Sequence, residues 1–168
     1  MVNPILNLTR AIRSYQAKKF IKDIQGRYLL DIGCAKGHFV ESFKHIETYG
    51  VDLSNGFDVE KEGLKGFKDH SFDYITMLAV IEHLRNHKAV LKECRRIIKP
   101  GGLLIITTPF KKADKYSRLY EFNKNDESVD NHIRHFTKND FNFKGFKLMH
   151  YSTFEFGFNQ LAVNKAVK

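Results

Sequence analysis

Residues 29–39, Leu-Leu-Asp-Ile-Gly-Cys-Ala-Lys-Gly-His-Phe, constrain the fold more than any other stretch of this chain. An apolar run ends in the acid Asp31, and Gly33, Cys34, Ala35 and Gly37 then let the backbone turn sharply and lie close against a ligand. A buried strand that enters such a turn opens an α/β unit of the kind that binds nucleotide-like groups. Asp52 ends the next apolar run, where one carboxylate can accept hydrogen bonds from both hydroxyls of a ribose. A dinucleotide fingerprint would need glycines at 33, 35 and 38, but the chain carries Gly33, Ala35 and His38. No Gly-Lys-Ser/Thr follows the turn, which sets a phosphate-binding P-loop aside. The spacing fits Asp-x-Gly-x-Gly-x-Gly with Ala35 at the middle glycine, and Asp31 suits a ligand with an ammonium group.

The remaining pattern predicts short strands alternating with helices, as in a mostly parallel sheet covered on both faces. Asn3 to Gln25 reads as an N-terminal helix with Pro4 in its first turn and Ile5, Leu8, Ile12 and Tyr15 at helical spacing. Strands are expected at Tyr28–Ile32, Thr48–Asp52, Phe72–Met77 and Leu103–Thr107, with a brief one around Phe57–Val59. Helices are expected at Phe39–His45 and from a cap at Asn86 to Ile98, where Pro100-Gly101-Gly102 stops the chain. Thr137 with Asp140 resembles a capping box, and Phe146–Tyr151 with Phe158–Val163 reads as an antiparallel hairpin.

With 168 residues and 42% hydrophobic content, the chain supports one core and one domain. Its expected divisions are an N-terminal helix over 1–27, a cofactor-binding core over 28–109, an acceptor-side loop over 110–136, and a C-terminal helix and hairpin over 137–168. No apolar stretch approaches the roughly 20 residues of a membrane span, and no leader pattern opens the chain, so a cytoplasmic location is expected. Cys34 and Cys94 make neither a disulfide framework nor a CxxC pair, and the three cysteines of a radical iron–sulfur centre are missing. The net charge of +9 would attract an anionic partner, although much of it is scattered lysine.

The loop at 31–37 resembles motif I of class I S-adenosylmethionine-dependent methyltransferases of the small-molecule type. The resemblance continues, in family order, through Gly50-Val51-Asp52-Leu53-Ser54, through Ser71-Phe72-Asp73-Tyr74-Ile75-Thr76 with Ile81-Glu82-His83-Leu84, and through Arg95-Arg96-Ile97-Ile98-Lys99-Pro100-Gly101-Gly102-Leu103. It implies a three-layer, Rossmann-like α/β sandwich with a mostly parallel sheet and an antiparallel C-terminal hairpin, shortened between strands two and four. It further implies S-adenosyl-L-methionine as cofactor, with Gly33, Cys34, Ala35 and Gly37 against its methionine and ribose part and Asp31 orienting its ammonium group. By the same resemblance Asp52 would hold the ribose diol, Leu53 would pack on the adenine, and Asp58 and Val59 would meet its amino edge. Leu78 and Ala79 would line the methionine side. The shortening between Asp52 and Phe72 leaves one sheet edge thinly covered, so either the N-terminal helix folds over it or the protein forms a homodimer.

Methyl transfer needs alignment in a dry pocket, with a general base if the acceptor is a hydroxyl. Glu82, His83 and His135 are the candidate catalytic groups, and His132, Arg134 and His135 the candidate acceptor-binding ones. Ala79-Val80-Ile81-Glu82-His83 looks like the metal-binding stretch of ubiquinone-type O-methyltransferases, but Ala79 stands where that pattern has Glu, so no metal is expected. The acceptor is read as a small or medium-sized molecule methylated on oxygen or nitrogen. Two alternatives stand beside it: an RNA methyltransferase gripping nucleic acid through Lys111, Lys112, Lys115 and Arg118 with Tyr116 and Tyr120, and a non-catalytic S-adenosylmethionine-binding partner subunit or sensor.

Overall fold

The computed structural model describes residues 4–113 and 132–167. Helix α1 (Pro4–Lys18) precedes strands β1 (Tyr28–Ile32) and β2 (Glu47–Val51), the short helix α2 (Val59–Glu62), β3 (Phe72–Leu78), helix α3 (His87–Ile97), β4 (Ile98–Pro109), β5 (Phe146–Phe154) and β6 (Asn159–Ala166). The six strands form one sheet in the order β2-β1-β3-β4-β6-β5. The first four are parallel, while β6 runs antiparallel to both β4 and β5. Strand β3 is buried over nearly its whole length, as expected of a central parallel strand with both faces covered. Edge strand β2 alternates exposed and half-buried residues instead.

Two apolar layers enclose the sheet. On one face α3 presents Val90, Leu91, Cys94 and Ile97 to Leu30, Ile75 and Leu104, together with Leu64 and Phe141. On the other, Ala17 and Ile21 pack with Phe39 and Ile46 over Leu29, Tyr74, Ile105 and Leu161. The three-layer, mostly parallel fold with its C-terminal antiparallel pair is therefore present. Asn86 caps α3 by accepting from Ala89 N at 3.3 Å, and the Thr137–Asp140 capping box opens a 3-10 turn over Lys138–Phe141.

Several boundaries differ from the sequence expectation. Helix α1 stops at Lys18 rather than Gln25, because Asp23 leaves the helical path to accept from the backbone N–H groups of Lys44, His45 and Ile46. The same three bonds hold the chain extended into β2, so the helix expected at 39–45 shrinks to a 3-10 turn over Val40–Ser42. No strand forms at 57–59. Asp58 instead caps α2, accepting from Glu60 N and Lys61 N. Strand β4 begins at Ile98, and Pro100-Gly101-Gly102 is an excursion within it where the register to β3 shifts. A side chain at Gly102 would come within 2.9 Å of the Asp73 carbonyl oxygen. Helix α1 lies against β3 and β4, so the expectation that it covers the β2 edge is overturned. Among the described residues no helix is long and apolar enough to cross a membrane.

Asp73, within the third stretch of family resemblance, serves the fold. Its carboxylate takes Lys99 Nζ at 2.6 Å, Tyr28 N at 3.0 Å and the Arg27 guanidinium, which ties together the starts of β1, β3 and β4. Burial alone would raise this carboxyl, but the bonds from Lys99, Arg27 and Tyr28 outweigh it and hold the group below its ordinary range.

Candidate functional site

The parallel register places Asp31 beside Gly50 on one side and beside Thr76 on the other. This is the C-terminal end of the parallel strands, where open α/β sheets bind their ligands. Asp31 is 2% exposed and accepts from Thr76 Oγ1 at 2.6 Å. Burial pushes its carboxyl up to about 7, the Thr76 bond pulls it back, and the charge of Asp52 adds to the rise.

The loop after β1 is held by backbone bonds: Gly33 N donates to Val51 O at 2.7 Å and Gly37 N to Cys34 O at 2.9 Å. Gly33, Ala35 and Gly37 all have positive φ (79°, 48° and 80°). Ala35 thus keeps the left-handed conformation of the glycine it replaces. Cys34 is half-buried, and its sulfur would lie 2.7 Å from a side chain at Gly50. Asp52 closes the loop, Oδ2 accepting from Ala35 N at 3.0 Å and Oδ1 from Ser54 N at 2.7 Å. Burial would raise the Asp52 carboxyl, but the Ser54 and Ala35 bonds overcome it and keep the group ionised at neutral pH. Leu53 follows with 73% of its surface exposed, an apolar platform at the loop's mouth. These groups fit an adenosyl-sulfonium ligand: a tight turn of small residues whose backbone can approach it, a buried acid for an ammonium group and an ionised acid for a diol.

The Asp58 reading meets a different environment. Its carboxylate is committed to capping α2 and to Lys61 Nζ at 3.1 Å, and Val59 packs on the core. Leu78 ends β3, one residue later than expected, and Ala79 follows it, left-handed (φ 59°) and with its N–H bonded to Thr107 O at 2.9 Å.

Beyond them a 3-10 turn over Ile81–His83 carries Glu82, 1% exposed, with neither carboxylate oxygen hydrogen-bonded. Burial pushes this carboxyl up to about 7 against the opposing pull of its own backbone, Thr108, His132 and Arg13. The end of the acceptor-side loop returns here, Ile133 N donating to Glu82 O at 3.0 Å. It brings the His132 ring to 4.8 Å from that of His83 and to 6.4 Å from that of His135. Ligand-capable atoms of Glu82, His83 and His132 all lie within 4.8 Å of one another. Sequence alone offered only Glu82 and His83 as ligands. The fold adds His132 from a distant segment, and a buried unbonded carboxylate with two imidazoles is a donor set that fits a divalent cation.

Arg134 is placed differently from the expectation that it lines the acceptor pocket. It donates to Arg85 O at 2.9 Å and meets His87 Nδ1, fastening its segment to the start of α3. Lys115, Tyr116, Arg118 and Tyr120 lie outside the described residues, as does most of the acceptor-side loop. Lys112 Nζ sits over the rings of Phe110 and Phe158. Sequence reasoning missed Thr76, Thr108 and Arg13. Only Thr76 left a signal, as the polar residue inside the apolar run of β3.

A family model described as a methyltransferase domain matches residues 7–146. The ubiquinone biosynthesis O-methyltransferase of Neisseria meningitidis is 28% identical over 119 residues, covering 58% of this chain and 50% of that protein. The chain thus spans about half the length of the curated relatives it matches. A methyltransferase from Archaeoglobus fulgidus, described as dependent on S-adenosylmethionine, superposes with a TM-score of 0.68 at 17% identity, covering 93% of this chain and 94% of that one. A Haloferax volcanii putative methyltransferase, solved in complex with the Trm112 methyltransferase activator, gives 0.71 at 14% identity, covering 93% and 89%.

Proposed function

Because this chain belongs to the methyltransferase-domain family of class I S-adenosylmethionine-dependent enzymes, we propose that it carries a methyl group to a hydroxyl oxygen of a small acceptor at the Glu82–His83–His132 cluster. The observation that carries this reading is the placement of two functions at the ends of adjacent strands. The cradle of Asp31, Gly33, Ala35, Gly37 and Asp52 follows β1 and β2, and the acid–imidazole cluster follows β3.

S-adenosylmethionine bound in the cradle supplies an electrophilic methyl group on a sulfonium. Asp31 orients the ammonium end, Asp52 accepts from the ribose hydroxyls, and Leu53 covers the adenine. Ala79, left-handed at the end of β3, turns the chain so that Glu82 and His83 follow directly behind the methionine side. Glu82 or His83 takes the proton of the acceptor hydroxyl, and His132 closes the cluster from the far side of the acceptor loop. A divalent cation held by Glu82, His83 and His132 would act as a Lewis acid on the acceptor oxygen. The O-methyltransferase named among the relatives supports oxygen as the methylated atom.

The test is direct. Calorimetry should show saturable binding of S-adenosylmethionine and S-adenosylhomocysteine, lost in Asp52→Ala, and labelled cofactor should methylate a pool of small hydroxylated metabolites. Label entering RNA alone would reject the small acceptor, and binding without transfer to any pool would turn the reading toward a cofactor-binding subunit.

A further inference from the structure

We propose that Arg13 of α1 grips an acidic group on the acceptor, so that the substrate carries a carboxylate or similar anion beside the hydroxyl that is methylated. This rests on the transfer reading above and adds to it the charge of the substrate.

Helix α1 is anchored by Ala17, fully buried, and by Ile12, packed on the sheet face over β3 and β4. Arg13 projects from this helix, and its Nε is buried with no hydrogen-bond partner. The acids facing it are Glu82, after β3, and Glu155, in the turn between β5 and β6. Burial lowers its basicity and those two acids partly restore it, while Arg10 opposes them. A buried guanidinium nitrogen without a hydrogen-bond partner is costly unless something pairs with it.

The resident groups do not complete that pairing. Glu155 is already engaged by Asn159 Nδ2 and by Thr9. Glu82 makes no hydrogen bond through either carboxylate oxygen. At the end of β4 the hydroxyl of Thr107, on the same sheet face as Ile105 and α1, is likewise buried and unbonded, although native structures leave few buried polar groups unpaired. Three elements therefore converge at the C-terminal end of the parallel strands, bringing an unbonded guanidinium nitrogen, an unbonded hydroxyl and an unbonded carboxyl. Arg13 and Thr107 supply donors, and Glu82 supplies acceptors. An acceptor molecule with an anionic group toward Arg13 and a hydroxyl toward Glu82 satisfies both sets at once. The planar guanidinium matches a carboxylate with paired hydrogen bonds.

The experiment separates small metabolites on an anion exchanger into a retained acidic pool and an unretained neutral and cationic pool, then incubates each with the protein and labelled S-adenosylmethionine. Label should enter the acidic pool. Arg13→Gln should raise the half-saturating concentration of that pool by about tenfold or more, leave the maximal rate within about threefold, and leave S-adenosylmethionine affinity unchanged by calorimetry; Arg13→Lys should recover part of the loss. Label confined to the neutral and cationic pool, or an Arg13→Gln protein that saturates like the parent, overturns the assignment while leaving methyl transfer standing. If Arg13→Gln does not fold, the charge of the parent protein's product decides alone. Cofactor binding with no label in either pool overturns the transfer reading and this assignment with it.

Discussion

Thr76 Oγ1 donates to Asp31 Oδ1 at 2.6 Å, joining across β1 and β3 two residues that the parallel register sets side by side. Burial raises the Asp31 carboxyl to about 7, whereas the unfolded chain ionises near pH 4. As pH rises from about 4, the unfolded state therefore releases its proton first, and the ligand-free fold loses stability until about pH 7, by something of the order of 4 kcal/mol. Above that the contribution is flat. Asp31→Asn should remove the Asp31 share of this slope in urea titrations, leaving that of Glu82, whose buried carboxyl is raised to the same range, and should stabilise the ligand-free protein at pH 8. An ammonium group prefers the ionised carboxylate, so S-adenosylmethionine affinity should strengthen as pH rises through 7. The asparagine variant should bind weakly with little pH dependence, and equal affinity at pH 6 and 8 in the parent would refute the role given to Asp31.

Gly33 is fixed by conformation and by space. Its φ is 79°, and an added Cβ would lie 2.2 Å from Val80 Cγ2. Gly33→Ala should cost about 2–4 kcal/mol, combining left-handed strain with overpacking. Adding Val80→Ala should return the overpacking part. Ala35→Gly should gain about 1 kcal/mol, since Ala35 already occupies left-handed space. Chemical denaturation of the four proteins measures all three differences.

The strand, the turn and Asp52 of the proposed cradle were legible in the sequence because they are local, fixed by residue type and spacing within one short stretch. The proposed acceptor side was not, because it is assembled from segments far apart in the chain. Arg13 comes from α1, Glu82 from the turn after β3 and His132 from the end of the acceptor-side loop, and no local period announces their meeting. The overcalled helix at 39–45 failed for a related reason. Its apolar spacing was sound, but a distant acid, Asp23, claims the backbone N–H groups that would have continued it. The strand expected at 57–59 gives way for a third reason: an acid followed by Val-Glu-Lys-Glu is a cap signal, and α2 uses Asp58 as one.

Asp52 has two duties that substitution can separate. One is to hold Ala35 N and Ser54 N, and the other is to offer a negative charge to the ribose. Asp52→Asn keeps one accepting oxygen and loses the charge, so it should weaken S-adenosylmethionine binding by tenfold or more, roughly one to two kcal/mol. It forfeits one of the two loop bonds and should lower stability by about 1 kcal/mol, less than Asp52→Ala, which forfeits both. Asp52→Ala should lose binding and also loosen the loop, visible as faster amide exchange at Gly33 through Gly37. If Asp52→Asn binds like the parent, the carboxylate acts on the loop alone.

The cluster of Glu82, His83 and His132 makes the strongest demand on chemistry, because a buried carboxyl raised to about 7 must either take a proton or meet a cation. Metal ligands bind deprotonated, so a cation here would displace a proton from Glu82 and require neutral imidazoles. Two imidazoles and a carboxylate favour zinc or manganese over magnesium. Protein dialysed against a chelator should therefore bind Zn²⁺ or Mn²⁺ saturably in calorimetry, releasing more protons near pH 6 than at pH 8, a change readable by repeating the titration in buffers of different ionisation heat. Glu82→Gln and His132→Ala should each weaken that binding by at least about tenfold. Cofactor affinity should be untouched, because Asp31 and Asp52 belong to β1 and the end of β2 and not to the turn after β3. Transfer that persists unchanged after chelation, with no saturable metal heat, would assign the cluster to proton transfer alone, with Glu82 as the base.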